Sequence, residues 1–157
     1  MQKNDPAFFA SADGEWFTGN DAARGPWSAD ACHAGPVTGL LARAVEKTIA
    51  DKQLVRITAD YIRPIPMAGF RIDTEVVRSG RAATNCRATL VDADGRVCAT
   101  ATSLHLVKSD FDELPTSSID CPSREHAEPG HFVVEPAHHD HSFFGNWIEV
   151  AYPPGED

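Results

Sequence analysis

Val37, Leu40, Leu41, Ala44, Val45 and Ile49 recur at steps of three and four, while Arg43, Glu46 and Lys47 fall between them. An apolar stripe of that period with a charged opposite side predicts one amphipathic helix. Pro36 fits the first helical position, where its missing N–H leaves no intrahelical bond unmade. The pattern runs over about 36–50, roughly 22 Å at 1.5 Å per residue. Beyond it the period changes to two. Val55, Ile57, Ala59 and Tyr61 alternate with Arg56, Thr58, Asp60 and Ile62, and Phe70, Ile72, Thr74 and Val76 make the next alternation, ending at Ser79-Gly80-Arg81. Arg63-Pro64-Ile65-Pro66 separates the two, because proline cannot donate to a strand ladder. Segments 83–91 and 97–107 flank Asp92-Ala93-Asp94-Gly95, and an Asp-Gly pair between two strand patterns is a hairpin signal. Ahead of the helix, Glu15-Trp16-Phe17-Thr18 and the surroundings of Pro26-Trp27 read as short strands. Gly19, Asn20 and Asp21 turn the chain between them, and their aromatics are expected to plug one end of the core.

One helix followed by consecutive strands predicts an α+β fold with an antiparallel meander rather than βαβ units. The helix has a broad apolar face and each strand one buried face. A curved antiparallel sheet wrapped around one central helix buries both, and the small residues Ala99, Ala101 and Ser103 let the last strand approach closely. From about Ser109 the alternation fails, and Pro115, Pro122, Pro129 and Pro136 interrupt a polar, acidic stretch. The expected organisation is one domain over 1–108 and a linker over 109–130. In 131–157, His131-Phe132-Val133-Val134 and the stretch 143–150 read as strands with no helix of their own.

Composition narrows the function classes. The chain has 157 residues, 42% hydrophobic and 24% charged, which is globular composition. No apolar run nears the roughly 20 residues a membrane span needs, and Met1-Gln2-Lys3-Asn4-Asp5-Pro6 lacks the apolar core of a signal peptide. No membrane partner and a cytoplasmic address are therefore expected. The net charge of −9, with no basic stripe, predicts no nucleic-acid partner. The four cysteines, Cys32, Cys86, Cys98 and Cys121, stand far apart with no C-x-x-C pair, so buried thiols are expected rather than disulfides or a cysteine zinc site.

Several of these segments carry a family pattern. Cys32-His33-Ala34-Gly35-Pro36 with Gly39-Leu40-Leu41-Ala42-Arg43-Ala44 resembles the helix-start segment of the acyl-CoA thioesterase II family. Tyr61-Ile62-Arg63-Pro64 resembles that family's strand ending in Leu-Arg-Pro. Val77-Arg78-Ser79-Gly80-Arg81, followed by residues 88–92 and Asp94-Gly95, is similar to its Arg-x-Gly-Arg hairpin region. The resemblance covers roughly 14–108 and implies a hot-dog fold of the N-terminal repeat type. Members carry two such repeats, with the catalytic carboxylate, hydroxyl and amide mainly in the second, and the resemblance implies that 131–157 is the opening strand of an incomplete second repeat.

Thioester hydrolysis needs an activated water and donors for the oxyanion of the tetrahedral intermediate. Helix N-termini offer such donors, because their first N–H groups have no intrahelical partner. Gly35 and Pro36 stand where a capping side chain is usual, so Gly35 and the amides of Val37 and Thr38 are the candidate substrate contacts; a glycine cap with solvent beyond it is the bland alternative. His33 is the candidate general base, since its unperturbed pKa lies near neutrality; a structural hydrogen-bonding histidine is the other reading. Asp30 and Asp60 are the nearest carboxylates in sequence. Arg81, beside a turn glycine, is the candidate for a CoA phosphate, with Arg63 as a second. His126, His131, His138, His139 and His141 suggest metal binding, but neighbouring strand residues point to opposite faces, and neither metal nor cofactor is expected. The resulting expectation is an acyl-CoA thioesterase acting on acyl-CoA as a homodimer. The alternative is a non-catalytic hot-dog half that binds acyl groups or supports assembly. A hot-dog hydratase lacks its Asp-then-His overhang motif here, and a hot-dog regulator lacks a helix-turn-helix.

Overall fold

The computed structural model describes residues 7–110, 115–119, 123–131 and 141–155. Helix α1 spans Ala34–Thr48 and buries Val37, Leu40, Leu41 and Val45, with Ile49 continuing the stripe just past its end. It begins two residues earlier than the proline suggests. His33 lies in extended backbone (φ −72°, ψ 140°), and its own side chain accepts the Gly35 N–H, so it takes the capping place usually held by Ser or Asp. Pro36 then stands third in the helix, still within the first turn, where a missing N–H disturbs nothing.

Six strands pair antiparallel in the order β1-β2-β4-β5-β6-β3. They are β1 (Phe9–Ala10), β2 (Trp16–Gly19), β3 (Gln53–Tyr61), β4 (Phe70–Ser79), β5 (Ala83–Asp92) and β6 (Val97–Leu106). The helix lies in their concavity, where Ala88, Ala99 and Ala101 are at most 1% exposed. Alanines at these crossing points let the backbone approach the Val37–Leu41–Val45 stripe, as the sequence pattern required. Phe70 closes one end, packed by Phe9 edge-on (5.7 Å between centroids) and by Phe17 (6.1 Å). The strand expected around Pro26-Trp27 is absent: that stretch is a bend, fastened by single bridges of Arg24 to Cys32 and of Ala31 to Pro66.

The Asp-Gly hairpin forms between β5 and β6. Asp92 Oδ1 accepts the amides of Asp94 (3.0 Å) and Arg96 (2.9 Å), while Gly95 takes φ +77°. These hydrogen bonds, the Arg96 amide first, hold the Asp92 carboxyl below the usual carboxylate range. A Cβ at Gly95 meets nothing within 4 Å. Gly95→Ala is therefore expected to lose about 1 kcal/mol from backbone strain alone. Gly95→Asn should lose less, as urea melts of the two variants would show.

Past Leu106 the chain forms a separate ribbon of β7 (Glu128–Gly130) and β8 (Val150–Tyr152). Of the strand expected over 143–150 only Val150 is strand, because residues Phe144–Asn146 form a turn of 3-10 helix. The piece expected at 131–134 lies outside the described residues beyond His131, which is not in a strand. Among the described residues no helix is long and apolar enough to cross a membrane.

Candidate functional site

The segment leading into α1 is held on both sides before the helix begins. His33 N–H donates to the Ala23 carbonyl (2.7 Å), Cys32 N–H to Ile65 (2.8 Å), and Met67 N–H returns to Asp30 (2.8 Å). Cys32 sits beside Met67, and burial pushes its thiol up to about 12, so it is protonated and inert at neutral pH.

His33 is the centre of the cluster. Gly35 N–H donates to its Nδ1 (3.1 Å), and the ring stacks on Phe144 at 4.5 Å and on Trp27 at 6.0 Å, nearly parallel to both. Because Nδ1 accepts, the neutral ring carries its proton on Nε2. Partial burial holds its pKa below the ordinary histidine value. A general base needs an available lone pair, and the one at Nδ1 is engaged in capping the helix. Gly35 suits its place: a Cβ there would come within 3.1 Å of His33 Nδ1.

The other predicted contacts scatter. With His33 as cap, the cap carbonyl takes the first intrahelical bond, so the Val37 and Thr38 amides belong to the regular ladder. The helix-end donors are those of Ala34 and Gly35, the second already given to His33 Nδ1, which corrects the expectation for Val37 and Thr38. Val37 is fully buried in the core. Thr38 offers its hydroxyl instead: it stands 2.7 Å from the Ala34 carbonyl and the Tyr61 hydroxyl 3.0 Å from it, and with one proton each, one hydroxyl donates to the carbonyl while the other donates either to that carbonyl or to its hydroxyl neighbour. For Tyr61, at the end of β3, the sequence signals only a strand position and the start of the Tyr61-Ile62-Arg63-Pro64 motif, not a site residue.

Arg81 lies at the far pole. Tyr61, Ala99 and Leu90 are register partners at the helix N-terminal end, whereas Gln53, Leu106 and Ala83 align at the other end. From Leu90 to Arg81, about 9 steps of roughly 3.3 Å, the sheet runs on the order of 30 Å. Val107 N–H donates to the Ala82 carbonyl (3.0 Å), which sets Lys108 beside the Arg81 turn. A hollow of about 340 Å³ lined by Ala50, Asp51, Lys52, Gln53 and Lys108 opens there. Arg63, the second phosphate candidate, is at the helix N-terminal pole and donates to the Val97 carbonyl (2.6 Å). Asp60 is on the exposed side of β3, Asp30 is exposed, and the first turn of α1 holds no acidic residue.

Among the described residues no group of three or more His, Cys, Asp or Glu side chains could hold a metal. His138 and His139 lie outside them. His126 is on an exposed 3-10 turn, the His131 carbonyl accepts the Tyr152 hydroxyl (3.0 Å), and His141 Nε2 is 3.1 Å from the Gly25 carbonyl.

Residues 23–106 match the family described as acyl-CoA thioesterase N-terminal domain. A candidate thioesterase from Novosphingobium aromaticivorans superposes with a TM-score of 0.72 at 19% identity, over 96% of this chain and 60% of that one. A hot-dog protein of unknown function from Alicyclobacillus acidocaldarius gives 0.60 at 20% identity, over 90% and 51%. A hypothetical thioesterase protein from Streptococcus pneumoniae, solved with coenzyme A, gives 0.53 at 14% identity, over 64% and 84%. The fold is thus the hot-dog fold. The chain spans little more than half the length of its first structural relatives. No curated protein matches it.

Proposed function

The chain belongs to the family of acyl-CoA thioesterase N-terminal domains, and on that premise we propose that it hydrolyses acyl-CoA to a free acid and CoA as one half of a paired hot-dog assembly. The observation that carries this reading is the separation of the helix N-terminus from Arg81 together with the state of β3. That strand lies at the sheet edge, with Val55 49% and neighbouring Ile62 52% exposed. An edge strand presents a row of N–H and C=O groups ready for another strand. Two β3 edges paired antiparallel put the Gln53 end of one beside the Tyr61 end of the other. The Arg81–Lys108 pole of one half then faces the helix N-terminus of its partner. Phosphate binding and thioester chemistry come together only across that seam.

In this scheme the Ala34 amide at the helix end and the Thr38 and Tyr61 hydroxyls orient the thioester, and Arg81 meets a CoA phosphate. His33 fixes the helix end rather than taking a proton, and the base comes from the opposing half. Residues 109–130 act as linker and 131–157 as the opening of a second unit, in a cytoplasmic protein. The absence of an acidic residue in the first turn of α1 favours a second reading, a non-catalytic half that binds acyl groups or supports assembly.

Thiol release from a series of acyl-CoAs by the paired protein separates the two readings: release at one or more chain lengths supports hydrolysis, and none at any length leaves the binding half. His33→Ala is expected to lower turnover by less than about threefold, where loss of a general base typically removes 10²–10⁴. It should also lower stability by about 1 kcal/mol through loss of the cap. A hundredfold loss of turnover in a folded variant would restore His33 as base.

A further inference from the structure

We propose that residues 141–147 form a displaceable strap that shuts the helix N-terminal pole, with Phe144 as its latch and Arg24 as its fastener; this deepens the proposed function by assigning a control to the same site. The segment returns over more than a hundred residues of sequence to dock on the stretch before α1. Phe144 N–H donates to the Arg24 carbonyl (2.9 Å), and Arg24 Nη1 donates to the Ser142 carbonyl (3.2 Å). The same guanidinium is braced by Asp21 (2.7 Å) and by the Ala29 carbonyl (2.8 Å), so the fastener is fixed independently of the strap.

The strap holds its own shape. Phe143 N–H donates to Asn146 Oδ1 (3.0 Å), and Trp147 Nε1 donates to Ser142 Oγ (3.1 Å), closing a compact loop. Phe143 is only 4% exposed, which anchors one side. Phe144 stacks on the His33 ring at 4.5 Å and also meets Phe8 at 6.0 Å. A flat ring is thus inserted where a ligand approaching the first turn of α1 would have to pass. Two interlocking elements, an apolar anchor and a few hydrogen bonds to backbone carbonyls, make a contact that opens by local unfolding far more readily than the sheet.

Hydrogen exchange on the intact wild-type chain reads the strap without any variant. The amides of Phe144, Asn146 and Trp147 should exchange about tenfold or more slowly than free peptide, yet much faster than those of β5 and β6. Free-peptide rates at all three would overturn the proposal. Acylation of His33 by diethylpyrocarbonate, followed on its own peptide by mass spectrometry, is expected to accelerate roughly threefold or more in Phe144→Ala and Arg24→Gln with the far-ultraviolet spectrum unchanged. Equal rates in wild type and both variants would sink it. Thiol release should rise in both. If His33 reacts faster while no thiol is released from any acyl-CoA, the strap stands and the hydrolytic reading fails instead.

Discussion

Lysines in place of Val55 and Ile62 are expected to make the protein monomeric and to lower thiol release at least in proportion. Both side chains are about half exposed at the edge strand and just beyond it, and a two-fold pairing would bury each of them twice. Full burial of such a side chain contributes about 1.5–3 kcal/mol. Losing the four, and setting four ammonium groups against one another instead, should weaken association on the order of 10³-fold or more. The variants should fold normally, because neither residue belongs to the core under α1. Sedimentation at micromolar concentration reports the association, and a thiol-trapping assay on the same samples reports the chemistry. If the monomer keeps the turnover of the dimer, one half is sufficient, and the 30 Å gap between Arg81 and the helix end becomes irrelevant to function (a distance on the order of nine strand steps).

That same gap marks what local pattern can and cannot deliver. The stripe from Val37 to Ile49 and the alternation in β3 to β6 were legible because each element reports its own period, and the period survives folding. The start of α1 was displaced by two residues because a histidine, not a Ser or Asp, makes the cap, and Pro36 is equally at ease in the third position as in the first. That single shift moved the helix-end donors from Val37 and Thr38 to Ala34 and Gly35. Arg81 and His33 both look like ligand residues in isolation, yet nothing in a sequence of strands states which end of each one lies near a helix terminus. The register, Tyr61 with Ala99 and Gln53 with Leu106, settles it. The pattern around Phe144 signals a strand, and nothing in the sequence signals a role for Arg24. Their contact joins segments more than a hundred residues apart, and its only sequence trace is an aromatic pair in a polar stretch.

Acid should destabilise this fold earlier than its carboxylates alone would allow, because His105 is fully buried on the inner face of β6. Its Nε2 is 3.0 Å from the Ser103 hydroxyl, whose other bond goes to the Cys86 carbonyl (3.3 Å). The hydroxyl of Thr84, its cross-strand neighbour, has no hydrogen-bond partner among the described residues, and Nδ1 has only the Lys52 carbonyl nearby, outside good hydrogen-bond geometry. Burial holds the His105 pKa below the ordinary histidine value; Glu46, Asp51 and the Lys52 carbonyl oppose that shift in part, while the Lys52 ammonium reinforces it. A depressed histidine pKa means that the folded state prefers the neutral ring. The stability it supports is complete above about pH 6.5 and declines as the pH falls from there through the folded-state pKa. Each unit of depression removes about 1.4 kcal/mol once both states are protonated. His33, depressed by the same cause, adds a loss of the same sign in the same window. Asp13, Asp51 and Asp92 have carboxyls held below the usual carboxylate range, so their contribution is lost only in stronger acid. His105→Leu replaces the imidazole by an apolar side chain and leaves Ser103 its bond to Cys86. In urea melts between pH 8 and pH 5 the variant should show a flatter loss of stability and be the more stable protein at the acid end. A wild-type stability that stays level across that range, or an identical slope in the variant, would remove His105 as the origin of acid lability.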